Sequence, residues 1–496
     1  MKVKIDHNDK FLLFLCAANV IFRLPFASMP AFWDEINYTD GVIAITKHNL
    51  NPFVYFWGYK PPVMFMLPAF LFRFVSQSLI WERLLIYILS SVALFLTYRL
   101  GSMLFNKRIG FQSALLLFFY PLFMTQSFLY QDPVPFTVLF LAAIYYYFSQ
   151  NIIGYIIASS LLVLTKEPGV FLPIALFVYD LSLRTPSNNR MQNRIAQRIT
   201  ILLPVLILTF WMLLNKLTLG WYVFPYNISL FTLTAGVSHI ISPVFIHSLY
   251  SAFINYFVWP VFCGCVCLLI TKAKTLETTG QKKLPIVWLF TLLFIGYFLF
   301  YLTGLFNLRY ILQVYPLVFI LFVAFLLSVA PNRKTSNVIV AIMCIAFLLS
   351  NFITAFVRPT NGNYDESFAF LNSISLTQRV VCIIDERYSS SVILTPWPLD
   401  EQLTQPLFGY VTTPLRVIDR DNECVQNNHL DSQIKMSTNE DLAKYKYSSL
   451  FYLYSSYRYY CTPPSGSVLK ERIHVNNNTQ SAIYDGLYLI SGSWIR

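Results

Sequence analysis

Apolar runs of about twenty residues recur along the first 357 residues of the chain, and this feature excludes most folds. A helix rises about 1.5 Å per residue, so ~20 mostly apolar residues cross the ~30 Å hydrocarbon layer of a bilayer. Runs of roughly this kind lie at Phe11–Pro30, 80–98, 110–130, 133–149, 151–165, 168–183, 199–215, 245–271, 284–304, 310–330 and 336–357. They amount to about eleven expected spans. Only 12% of residues are charged while 56% are hydrophobic, whereas a soluble domain is roughly a quarter charged. The chain therefore reads as an α-helical polytopic membrane protein, and a disordered chain, a collagen and a typical soluble enzyme are excluded.

The net charge of +12 would point to nucleic acid in a soluble protein. Here the placement of the basic residues argues otherwise. Lys2, Lys4 and Lys10 precede the first run, and further basic residues fill the loops 99–109, 184–198, 272–283 and 331–335. These segments carry sixteen Lys and Arg, against eight in longer sequence on the other side, from Lys47 to Arg358. By the positive-inside rule the N-terminus is cytoplasmic, and no nucleic-acid partner is expected. Residues 61–75 (PPVMFMLPAFLFRFV) are too short for a comfortable crossing and contain Arg73. They are expected to form an interfacial or re-entrant helix within a large first outer loop, 31–79.

Past residue 358 the composition changes. The tail holds 14 of the 24 acidic residues, and its apolar stretches RVVCIID (379–385), SSLFYLY (448–454) and DGLYLIS (485–491) are strand-sized. Two domains follow: a membrane domain, 1–358, and a small extracytoplasmic α/β or mostly β domain, 359–496. Cys382, Cys424 and Cys461 allow one disulfide there. Cys263, Cys265 and Cys267 have zinc-like spacing, but they sit in an apolar run without a nearby His and read as packing residues.

Before the tail, Asp34, Glu35, Asp40, Glu82, Asp132 and Glu167 all map to the outer boundary. Carboxylates beside lipid are costly unless hydrated, paired or used. In FWDEINYTDGVIAITKHNLNP (32–52), Asp34 suits a helix N-cap with Glu35 in the first turn. A cap alone does not explain an adjacent acidic pair, nor Lys60 in GYKPPV (58–63). In LYQDPVPF (129–136), Asp132 before Pro133 is again a good cap position. LTKEPGVF (164–171) repeats the design with Lys166, Glu167 and Pro168. LRYILQVYP (308–316) puts Arg309 at the outer start of a span, where either snorkelling or a lipid phosphate accounts for it.

Asp34, Glu35 and Tyr38, then the KPP of Lys60–Pro62, Asp132 with its proline, TKEP at 165–168 and the RY of Arg309 and Tyr310 follow one another in a familiar order. Over roughly residues 10–330 the chain resembles the GT-C superfamily of membrane glycosyltransferases, especially the protein O-mannosyltransferases and the aminoarabinose transferases of lipid A. The resemblance implies a GT-C-like bundle with interfacial helices in the first outer loop. It also implies a polyprenyl-phosphate-linked sugar as donor, taken from the bilayer, and a lipid, glycan or protein hydroxyl as acceptor, with inversion at the anomeric carbon. Asp34 falls at the family's catalytic aspartate, Asp132 at its second acidic position with Glu35 beside the first, and Lys60 and Arg309 at the donor phosphate. Tyr38, Tyr55, Tyr59, Lys166, Glu167 and Tyr310 are the expected sugar or acceptor contacts. Some relatives carry Glu before the KPP lysine and place a metal there. Tyr59 occupies that position here, so no metal or other cofactor is expected to be required. The expected host is a bacterial or archaeal cell membrane rather than the endoplasmic reticulum.

The alternative is a lipid or solute transporter or flippase. Such proteins place ionisable groups near the midplane on broken helices, whereas mid-span charges are few here, Arg23 being the clearest.

Overall fold

The computed structural model describes residues 7–56, 59–182, 191–225, 228, 284–302, 307–329, 332–356, 366–389, 392–395, 397–419, 450–455, 468–471 and 484–490. The chain divides into two compact units: Met1–Ala27 with Asn37–Ser350, and Ser28–Ile36 with Asn351–Arg496.

The first unit is helical. Its elements are α1 (His7–Arg23), α2 (Asp34–Lys47, the first turn of which belongs to the second unit), α3 (Val63–Phe74), α4 (Leu79–Leu104), α5 (Lys107–Phe119), α6 (Pro121–Gln126), α7 (Pro133–Phe148), α8 (Ile152–Val163), α9 (Phe171–Ser182), α10 (Met191–Leu219), α11 (Leu284–Leu302), α12 (Tyr315–Val329) and α13 (Arg333–Phe356, of which the residues from Asn351 belong to the second unit). Among the described residues four segments are long and apolar enough to cross a membrane: Leu79–Leu104, Arg198–Leu219, Leu308–Val329 and Arg333–Ile353. Val63–Phe74, Pro133–Phe148, Ile152–Val163 and Pro285–Tyr297 are shorter apolar helices. The expected span 245–271, with its three cysteines, lies outside the described residues.

Polar caps set where the helices start. The side chains of Ser78, Asn106 and Asn151 accept hydrogen bonds from the backbone N–H groups of Ile80, Ile109 and Gly154 at 3.3, 3.0 and 2.9 Å, satisfying donors that a helix start leaves unpaired. Helix α4 packs on α1, α5 and α7, and α7 packs on α8. Two expected elements need correction. The run 110–130 is not one helix: α5 stops at Phe119 and α6 restarts at Pro121, because proline has no N–H and disfavours helical geometry in the residue before it. The run 310–330 opens as a 3-10 segment, Leu308–Val314, before α12.

Three contacts draw the connecting segments together. The N–H of Val63 donates to the carbonyl of Leu164 at 3.1 Å, fastening the Lys60–Pro62 segment to the end of α8. The Tyr130 hydroxyl donates to the carbonyl of Met64 at 2.7 Å. Segment Leu308–Val314 packs along α7.

The second unit contains α14 (Ala369–Tyr388), α15 (Leu399–Thr404) and the strands β1 (Val392–Thr395), β2 (Arg416–Asp419), β3 (Leu450–Ser455), β4 (Val468–Glu471) and β5 (Tyr484–Ile490). The sheet order is β2-β1-β3-β5-β4; β1 is parallel to β2 and β3, and β5 is antiparallel to β3 and β4. Val380, Val381, Ile384, Ile393, Leu399, Leu403 and Val411 form its core. RVVCIID is therefore helical, contrary to expectation. A seven-residue apolar run cannot separate strand from helix, but over twenty residues Phe370, Ile374, Thr377, Val380, Val381 and Ile384 are buried at helical spacing. The other two stretches supply β3 and β5.

Candidate functional site

In the first unit the site is built on Asp132. This residue stands at the cap position of α7 before Pro133, yet its carboxylate makes no capping hydrogen bond. Instead, Oδ2 lies 3.0 Å from Lys166 Nζ and 3.3 Å from Lys60 Nζ. The two lysines, with Arg309 nearby, hold the Asp132 carboxyl well below the usual carboxylate range although burial opposes this. The structural role anticipated for Asp132 thus gives way to an electrostatic one.

Each lysine also rests on an aromatic face. Lys60 Nζ donates to the Tyr38 hydroxyl and lies 4.2 Å from that ring's centroid. Lys166 Nζ lies 4.0 Å from the centroid of Tyr310. Aromatic faces attract cations through the ring quadrupole, so these contacts order the ammonium groups without neutralising them. Tyr38 is fixed in turn, stacked on Phe65 and edge-to-face with Tyr130.

Arg309 is 8% exposed and turns into the protein. Its Nη1 donates to Gln131 Oε1 at 2.9 Å, its Nη2 reaches the Tyr310 hydroxyl at 3.4 Å, and its guanidinium carbon sits 5.2 Å from the Tyr310 ring. Burial this deep fits poorly with snorkelling. Asn307 orients the segment by accepting the Arg309 N–H on its side chain at 3.1 Å.

Glu167 opens the short 3-10 turn Glu167–Val170 beside Lys166, and desolvation pushes its carboxyl above the usual range. Tyr59 is buried, its hydroxyl on Asn215 Oδ1 at 3.0 Å and the Pro52 carbonyl at 3.3 Å, with its ring against Trp221. A buried phenol engaged in this way is not an oxygen ligand of the carboxylate or carbonyl type that a divalent cation takes. Among the described residues no group of three His, Cys, Asp or Glu side chains comes together. Tyr55 is 59% exposed and packs loosely on Phe224.

Asp34 and Glu35 belong to the second unit. Asp34 is half-buried at the first position of α2. The carboxylate that closes the opening turn is that of Glu35, which accepts the Phe32 N–H at 2.8 Å while the Glu35 N–H donates to the Phe32 carbonyl at 3.0 Å. The Glu35 side chain thus supplies one half of a capping box, and the other bond is an ordinary backbone turn, since a Phe side chain has no acceptor.

The structure thus brings Lys60, Asp132, Lys166, Arg309, Tyr38 and Tyr310 together in one unit. Sequence reasoning missed Gln131, although its position beside Asp132 was a usable signal. It also placed Lys166 among sugar or acceptor contacts, whereas Lys166 is a direct partner of Asp132.

No known family profile matches the chain, and no curated protein matches it in sequence. Solved structures do. ArnT from Cupriavidus metallidurans bound to undecaprenyl phosphate superposes with a TM-score of 0.62 at 14% identity, covering 97% of this chain and 98% of that one. Its apo form gives 0.58 at 13% identity, covering 97% of each chain. The apo oligosaccharyltransferase of Archaeoglobus fulgidus gives 0.51 at 12% identity over 91% of this chain and 70% of that one. At such identities the likeness is one of architecture, and it extends over nearly the whole of both ArnT chains: the chain has the fold of the GT-C membrane glycosyltransferases.

Proposed function

We propose that the protein is a glycosyltransferase that moves a sugar from a polyprenyl-phosphate donor to an acceptor hydroxyl with inversion. The observation that carries this reading is the convergence of Lys60, Lys166 and Arg309 on the carboxylate of Asp132. Three cations against Asp132 and the neighbouring Glu167 still leave an excess of positive charge, which suits a phosphate. The fold shared with ArnT bound to undecaprenyl phosphate supports the same ligand class.

In the proposed reaction Asp34 accepts the proton of the acceptor hydroxyl as its oxygen bonds to the sugar's anomeric carbon. The bond from that carbon to the phosphate oxygen breaks on the opposite face, and its electron pair leaves with the lipid phosphate. Charge grows on the departing phosphate, so Lys60, Lys166 and Arg309 would favour the transition state over the bound donor. A planar guanidinium grips two phosphate oxygens, whereas each lysine acts as a point charge. Gln131 would hold Arg309 in place. Tyr38 and Tyr310, each already against a lysine, are the proposed sugar or acceptor contacts. In the same reading the chain crosses the membrane about eleven times, the site lies on the extracytoplasmic face, and residues 359–496 form an extracytoplasmic α/β domain.

Incubating the purified protein with a panel of undecaprenyl-phosphate-linked pentoses and hexoses tests this reading. Release of lipid phosphate is expected with one of them. Asp34→Asn should reduce release to a small residual rate while still binding undecaprenyl phosphate, and Lys60→Ala or Arg309→Ala should weaken that binding at least tenfold. A flippase without transfer chemistry would release none.

A further inference from the structure

The backbone just before Asp34 is strained. Trp33 has φ +48°, in the left-handed region that bulky L-residues rarely enter. Such a conformation costs free energy and persists only where the surroundings over-determine it. Here those surroundings come from residues more than 300 positions away in sequence, all in the second unit.

Four ties hold the segment. The Ala31 N–H donates to the Phe408 carbonyl at 2.9 Å. The Tyr410 hydroxyl donates to the Ala31 carbonyl at 3.0 Å. The Trp33 ring stands edge-on to Trp397 with centroids 5.1 Å apart. Between the two hydrogen-bonding residues lies Gly409, at φ +80°, and a Cβ there would come within 3.2 Å of Pro30 Cα. Both backbone polar groups of Ala31 are bonded, Trp33 stands against an aromatic ring, and Pro30 meets a glycine where a Cβ would sit tightly. The turn closed by Phe32 and Glu35 then passes this fixed geometry into the first turn of α2.

We infer that the 397–410 segment of the C-terminal unit is a positioning clamp for Asp34, with Trp397 and Tyr410 as its positioning residues. The inference rests on the proposed role of Asp34 as general base. Neither residue need touch substrate. Their effect is to hold the strained Trp33 and so fix where the carboxylate begins. A displacement of about 1 Å at a reacting group can lower a rate a hundredfold, so releasing the clamp acts on turnover and not on capture of the donor.

The test uses the full chain and the undecaprenyl-phosphate sugar that the wild type turns over fastest. Tyr410→Phe removes one oxygen, Trp397→Ala removes the ring, and Trp397→Phe restores an aromatic edge. The expected result is a fall in kcat of about tenfold to a hundredfold for Tyr410→Phe and Trp397→Ala, an unchanged KM for the donor, and recovery of most of kcat in Trp397→Phe. In an Asp34→Asn background Tyr410→Phe should lower the residual rate no further. If Trp397→Ala does not fold, Tyr410→Phe and Trp397→Phe decide alone. Wild-type kcat in a folded Tyr410→Phe, or a KM that rises in step with the fall in kcat, overturns the clamp. A wild-type enzyme that uses no donor, or an Asp34→Asn variant with full turnover, overturns the function reading and the clamp with it. An inactive Asp34→Asn beside fully active clamp variants overturns the clamp alone.

Discussion

Asp132 and Glu167, set close together in the field of the same lysines, are pushed in opposite directions. Asp132 keeps its charge because Lys60 and Lys166 both lie against Oδ2 and outweigh desolvation. Replacing it by Asn removes the carboxylate that both largely buried ammonium groups share, at a cost of about 2–4 kcal/mol. Asp132→Asn should therefore melt earlier at pH 7, yet bind undecaprenyl phosphate more tightly, because the ligand then supplies the missing anion; a differential scan with and without the lipid reads both effects. For Glu167 desolvation outweighs the lysines, so its folded pKa is raised. A carboxyl with a raised pKa is neutral in both states in strong acid, and it weakens folding as pH climbs past the ordinary carboxylate value of about 4.3. Glu167→Gln should thus match the wild type near pH 3.5 and melt higher at pH 7. Equal melting at both values would show that the Glu167 charge is fully compensated. Asp132, with its depressed pKa, contributes no pH dependence between about pH 5 and 8, because its share is lost only as pH falls through its folded value.

Between elements, close approach is set by residues with no side chain. Helices α4 and α5 meet at Gly101 and Gly110, where a Cβ on Gly101 would lie 2.7 Å from Gly110 Cα and one on Gly110 would press on the Tyr98 carbonyl. Backbone leaves no flexible atom to yield, so Gly110→Ala should separate the helices and destabilise the unit by about 1–3 kcal/mol. Gly296→Ala, which meets nothing within 4 Å, is the control; thermal unfolding in detergent compares the two. The sequence reveals such elements unevenly. Apolar length and the caps Ser78, Asn106 and Asn151 mark helix starts because their causes are local. The break at Pro121 was equally local and should have been read. RVVCIID needed the longer pattern from Phe370 to Ile384. The burial of Tyr59 against Asn215, and the ties of Tyr410 and Trp397 to residues 31–33, have no local cause and leave no trace in the sequence. The lysine cluster was legible because charged groups at a lipid boundary must find partners, and Lys60, Asp132, Lys166 and Arg309 had few others to choose from.

At the scale of the first unit, the site fixes which helix ends share a side. Asp132 precedes α7, Lys166 follows α8 and Lys60 precedes α3, and both lysines bond to the one aspartate. The start of α7 and the end of α8 therefore lie on one face, and Gln150, in the turn between these helices, lies at the other end. Sixteen residues of α7 span about 24 Å at a helix's rise per residue, most of a hydrocarbon layer. If the Lys60 loop is extracytoplasmic, as the distribution of basic residues implies, Gln150 faces the cytoplasm. Single cysteines placed at exposed positions in a cysteine-free background test this. Asn51→Cys, in the first outer loop, should react with a membrane-impermeant maleimide in intact cells, and Gln150→Cys only after permeabilisation. The reverse pattern would place the cationic cluster in the cytosol. A donor carried on a lipid would then have to present its sugar there, and the acceptor would be a cytosolic hydroxyl. Labelling of both positions in intact cells would mean that α7 does not cross. The pairing of Lys60 and Lys166 with Asp132 would then describe a surface cluster rather than the lined end of a bundle.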